Sequence, residues 1–121
     1  MTHLALGWGV SALAVLPLLA SGTMKLIGHP VVVKNLTTFG FGRGVLRPMG
    51  VLEYLFVALF LLPPTAAVGA ILLTGWMGGA IATHLRAGDR FVVQTAIPLL
   101  VWAGYGLRNP DVARHALAFL A

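Results

Sequence analysis

Apolar residues fall into four long blocks along the chain, separated by short polar or proline- and glycine-rich breaks. The first block runs from Leu4 to Met24, is interrupted only by small residues and hydroxyls, and closes at Lys25. Pro17 lies inside it, removes one backbone donor and bends the helix. Residues 28–48 form the longest polar stretch. Pro30 suits the first turn of a short helix, and Gly40, Gly42 and Gly44 suit its end. Lys34, Asn35, Thr37 and Thr38 make that helix too polar to span a membrane, so it reads as interfacial or re-entrant.

The second block, Met49 to Leu62, stops at Pro63-Pro64. Fourteen residues rise only about 21 Å against a hydrocarbon core of about 30 Å, so the helix is expected to begin earlier, near Gly44, with Pro48 as a kink. The third block runs from Thr65 to Arg86, and the fourth from Phe91 to Leu107 with Pro98 near its middle. Pro98 frees the carbonyl of Gln94. After Asn109-Pro110, an amphipathic tail helix with Asp111 in its first turn is expected to run to Ala121. The pattern predicts one domain over residues 1–121: an all-α, integral membrane four-helix bundle with helices at 4–25, 46–62, 65–86 and 91–107.

Composition supports that class. Hydrophobic residues make up 59% of the 121, charged residues 9%, and mean hydropathy is +0.93. A soluble domain is about 45–50% apolar and about 25% charged. The absence of Lys or Arg before the first block, and that block's length, favour a retained first helix over a cleaved signal peptide.

The net charge of +5 comes from residues scattered between apolar blocks, which is a membrane-loop pattern and implies no nucleic acid. Six of the eight basic residues lie on one side, here side B: Lys25, Lys34, Arg43, Arg47, Arg86 and Arg90. Arg108 and Arg114 lie on the other, side A. The positive-inside rule puts side B in the cytoplasm and both termini outside. No cysteine is present, which removes thiol redox chemistry and thiolate metal sites from consideration.

Three ionisable residues, Lys25, Glu53 and His84, fall at similar depth toward side B on three different helices. Ionisable groups in a bilayer are costly alone, so they face the bundle interior and pair. One reading is a polar pocket with these three as candidate catalytic groups: Glu53 as proton acceptor or anchor, His84 as second acid/base, Lys25 as counter-charge. Helical spacing then places Phe56, Val57 and Phe60 beside Glu53 and Met77, Ala80 and Ile81 beside His84. Together with Gln94 these are the expected walls for a lipophilic ligand. The other reading is a structural Lys25–Glu53 ion pair with His84 at the headgroup boundary. Convergence of His29, Glu53 and His84 on a metal is a weaker reading, because no helical pair has ligand spacing, and no metal ligand is assigned. Gly75 and Gly79 form a Gly-x-x-x-Gly pair, read first as internal packing and second as a homodimer face. Trp8 and Trp76 read as interfacial anchors on side A, with Trp102 deeper.

Ser21-Gly22-Thr23-Met24-Lys25-Leu26, Gly50-Val51-Leu52-Glu53 and Gly79-Ala80-Ile81-Ala82-Thr83-His84, in that order and spacing, resemble the signatures of DoxX-like membrane proteins. The resemblance covers Ser21 to about Trp102. It implies a small four-helix integral protein of the bacterial cytoplasmic membrane. Its DoxD-type relatives are subunits of a thiosulfate:quinone oxidoreductase, and others act as accessory or assembly factors. Three functions therefore compete: an accessory subunit holding a quinone or other lipophilic molecule; a membrane enzyme using Glu53 and His84 for an isomerisation or epoxide opening; and a structural or chaperone-like module for a membrane-protein partner.

Overall fold

The computed structural model describes residues 2–118. Six α-helices follow one another: α1 (Thr2–Ile27), α2 (Pro30–Thr38), α3 (Leu46–Leu61), α4 (Ala66–Arg86), α5 (Val92–Arg108) and α6 (Pro110–Leu117). No strand is present among the described residues, so the chain is all-α. The predicted tail helix ends at Leu117 among the described residues, and its expected end at Ala121 lies outside them.

Local chemistry accounts for the boundaries. His29 caps α2, its ring nitrogen accepting from the Val31 N–H at 3.2 Å, and Pro30 occupies the first position. Gly28, Gly40 and Gly88 have φ of 67°, 91° and 70°, the left-handed values that close a helix. Pro48 falls in the first turn of α3, where its missing N–H would have had no helical partner, so no kink is needed there. The Pro63-Pro64 turn forces α3 and α4 back on one another. Gly69 then lies so close to α3 that a Cβ there would stand 2.2 Å from the Phe60 backbone nitrogen.

The four long helices pack as a closed ring: α1 against α3 and α5, and α4 against the same two. Ala14, Val15 and Leu18 meet Val57 and Phe60, Ala70, Leu73 and Met77, and Ile97 and Val101 in one apolar core. Outside the core the helices remain apolar, with Leu13, Leu16, Ile71, Val92 and Leu99 all more than half exposed. A soluble surface would not carry so continuous a coat of aliphatic side chains, whereas a hydrocarbon environment requires it. Three of the long helical segments, Thr2–Ile27, Arg43–Leu61 and Pro63–Arg86, are long and apolar enough to cross a membrane. The second segment reaches that length because a 3-10 turn, Arg43–Val45, runs directly into α3.

Candidate functional site

Lys25 and Glu53 meet because of the glycines three residues before each. A Cβ on Gly50 would stand 2.8 Å from the Gly22 carbonyl oxygen, and a Cβ on Gly22 would stand 3.2 Å from the Tyr54 ring. The backbones of α1 and α3 therefore touch one turn below the charges, as small residues permit in lipid. The Gly-x-x-Lys and Gly-x-x-Glu stretches are the two halves of one contact.

At that contact the Lys25 ammonium donates to Glu53 Oε1 and, at 2.7 Å, to Ser21 Oγ. The Trp76 indole N–H donates to the same Glu53 oxygen at 3.0 Å, and Ser21 Oγ makes a longer 3.5 Å contact with it. Lys25 is 8% exposed and Glu53 2%. Such a pair has lost its hydration and depends on these partners to compensate. Oε1 collects every donor, while Oε2 is buried without a hydrogen-bond partner among the described residues. Alongside, the Thr23 and Tyr54 hydroxyls bond to each other and add a second link between α1 and α3.

This cluster borders a cavity of about 540 Å³ inside the ring, lined from all four long helices. Its apolar wall includes Pro17, Leu18, Met49, Met77, Ala80 and Ile97, and Gln94 lines it from α5. Leu36, Phe39 and Phe41 close it from the α2 segment. Phe56, Val57, Phe60 and Ile81 do not line this cavity. Phe56 packs edge-on against Trp76, while Val57 and Phe60 lie in the apolar core.

His84 lines the cavity too but makes no hydrogen bond to Lys25 or Glu53. Its Nδ1 lies 3.1 Å from Asp89 Oδ2, and its ring meets Phe39 edge-on at 4.8 Å. Asp89 also accepts from the Arg90 backbone N–H at 2.8 Å. That bond first, and His84 second, hold the Asp89 carboxyl below its ordinary value. His29, Glu53 and His84 do not converge, and no three such side chains are grouped for a metal among the described residues.

Two sequence expectations need correction. Trp76 is not an interfacial anchor on side A: it is the third partner of the ion pair, at the level of Glu53. Among the described residues, Gly75, Gly78 and Gly79 do not pack against another helix, since a Cβ on any of them would meet nothing within 4 Å. Gly75 and Gly79 instead border the cavity, leaving the space a side chain would fill.

Arg108, read from sequence as a loop charge, is built into the opposite end of the ring. Its guanidinium donates to the Phe60 carbonyl at 3.0 Å and to Ser11 Oγ at 3.3 Å. It lies 4.0 Å from the centre of the Trp8 ring. The Phe60 carbonyl is one of the last four of α3, which have no helical donor, so Arg108 and Thr65 (2.8 Å to the Leu59 carbonyl) satisfy that helix end. The one signal for this in sequence was an arginine at the very end of an apolar block.

No curated protein and no solved structure matches the chain. A family model does match, over residues 9–105, a span that contains the facing glycine motifs, the ion pair, the indole that joins it and the cavity around them. The chain belongs to the DoxX-like family.

Proposed function

We propose that this protein is a membrane-embedded binding subunit that holds a lipophilic small molecule in the cavity beside Lys25 and Glu53 and presents it to a membrane-protein partner. The observation that carries this reading is the combination of an apolar cavity of about 540 Å³ with one hydrogen-bonding corner. That volume falls within the range of about 300–1,000 Å³ typical of small-molecule sites, whose walls are apolar and whose few polar groups orient the ligand. A quinone, the molecule that the family resemblance brings in, is one such lipophile, and its carbonyl can accept from the Lys25 ammonium.

In this reading α5 crosses the bilayer as the fourth span, because it packs between α1 and α4 and cannot lie outside a membrane that contains them. Side B then faces the cytoplasm. The chain has no cysteine, so single cysteines at Arg43 and Arg90 test this directly. Both are expected to be blocked by an impermeant maleimide only after the membrane is opened, and labelling in intact cells would reverse the orientation.

Mass spectrometry of the organic extract of detergent-purified protein tests the binding role. A quinone or other stoichiometric lipophile that is lost in the Gly79→Leu variant, with the fold kept, is the expected result. Bulk phospholipid alone, unchanged by that substitution, would overturn the reading.

A further inference from the structure

A second cavity of about 380 Å³ adjoins the first on side B. Phe39, Phe41 and Thr83 line both. The outer cavity is completed by Thr38, Gly40, Arg86 and Ala87, so Arg86 is its one charged lining residue. The chain has three acidic residues, and each is committed elsewhere: Glu53 to Lys25, Asp89 to His84 and Asp111 to Arg114. Arg86 therefore has no carboxylate partner among the described residues. Lys34, Arg43, Arg47 and Arg90 are exposed on the same side and add to its positive potential. The guanidinium of an arginine that lines a cavity is matched by a carboxylate or a phosphate, each able to take two parallel hydrogen bonds. Arg86 ends α4, where the helix dipole opposes an anion, but that effect is weaker than a charge-assisted pair and is screened at an exposed terminus.

Ten residues of α4 separate Arg86 from Trp76 beside the ion pair, about 15 Å along the helix axis. The outer cavity is thus a charged mouth over a deeper apolar chamber.

We propose that the two cavities form one site for an amphiphile with an anionic head, a carboxylate or phosphate held by Arg86, and a hydrocarbon tail in the inner chamber. This rests on the ligand-binding reading above and narrows it, because a neutral quinone has no group for Arg86.

Trp76 is a reporter already in place. In a Trp8→Phe, Trp102→Phe background, purified in a neutral maltoside detergent at pH 8, the fluorescence of Trp76 is titrated with 9,10-dibromostearate and with its methyl ester. The acid is expected to quench saturably and to half-saturate at about tenfold lower concentration than the ester. Arg86→Gln, an exposed position whose change leaves the core intact, is expected to erase that difference while quenching by the ester persists. Equal affinity for acid and ester, or a preference that survives Arg86→Gln, would overturn the anionic-head assignment and leave the cavity reading standing. Absence of saturable quenching by either would overturn both. A parallel titration with phosphatidylglycerol carrying brominated acyl chains identifies the source: Arg86-dependent quenching at lower concentration than the free acid assigns the site to a bilayer lipid, and the reverse order assigns it to a free acid.

Discussion

Lys25 and Arg108 are both cations drawn into the helix ring, one toward each end, and the ring treats them differently. Among the described residues, Arg108 has no carboxylate partner. It is held by a carbonyl, a hydroxyl and the face of Trp8, and a Cβ on Gly7 would meet its side chain at 2.8 Å. Lys25 has a carboxylate, a hydroxyl and empty space beside them. The lesson is that an inward charge in a membrane bundle does not by itself mark a site. At side A the charge is packing, and at side B room has been left next to it.

Glycine substitution is the harshest way to break that contrast. In Gly69→Ala the new methyl would meet Phe60 backbone, which cannot step aside. A loss of more than about 3 kcal/mol is expected, at or beyond the upper end of overpacking costs, and is read as loss of folded protein in detergent melts. Gly75→Ala meets nothing and is expected to be neutral or to gain about 0.5–1 kcal/mol from helix propensity. Equal destabilisation by the two would mean that side B is packed as tightly as side A.

The ion pair comes next. Glu53→Ala leaves a buried ammonium unpaired and is expected to cost about 3–5 kcal/mol. A Lys25→Met, Glu53→Leu double variant removes both charges and is expected to recover most of that in the same melts. A double variant as unstable as the single would show that shape, not charge, dominates at this contact.

Arg108→Met is expected to cost about 1–3 kcal/mol, from the donors lost to Phe60 and Ser11, without changing ligand occupancy in the cavity. Arg108→Lys should restore little, because the two acceptors and the aromatic face suit a planar fork. Loss of bound ligand in either variant would show that the two ends are coupled.

The smallest effect belongs to Asp89. Its folded carboxyl titrates below its unfolded value, so its contribution is fully present above the unfolded value and disappears as pH falls through the folded one. Wild type is expected to melt slightly above Asp89→Asn at neutral pH, and the gap should close on acidification below the carboxylate range. A gap that widens in acid would reverse the sign of the assignment.

Much of the fold was legible because prolines, glycines and charges punctuate it: the expected 46–62, 65–86 and 91–107 became Leu46–Leu61, Ala66–Arg86 and Val92–Arg108. The meeting of Lys25 and Glu53 was legible as well, since antiparallel topology sets both at one depth. The third partner was not. His84 and Trp76 lie on the same helix, eight residues apart, and choosing between them needs the axial offset of α4 against α3, which hydrophobic pattern does not encode. His84 was also claimed by Asp89, a local partner five residues on. Gly75 and Gly79 misled for a related reason: small residues mark close approach or deliberate room, and spacing alone does not tell these apart.

The closed ring has a consequence for traffic. Its seams are shut one by one: α1 to α3 by the Gly22–Gly50 contact and the ion pair, α3 to α4 by Gly69 against Phe60, α1 to α5 by Gly104 against Ser11. The α4 to α5 seam is pinned by the Trp102 indole on the Thr74 hydroxyl at 2.7 Å. What backbone contact leaves unlatched is the side-B half of α4, where Gly75 and Gly79 border the chamber and the α2 segment lies over it with no buried residue of its own. In the binding role proposed above, a lipophilic guest would reach the chamber sideways, past Gly75, Gly79 and the α2 segment, from the lipid rather than from water.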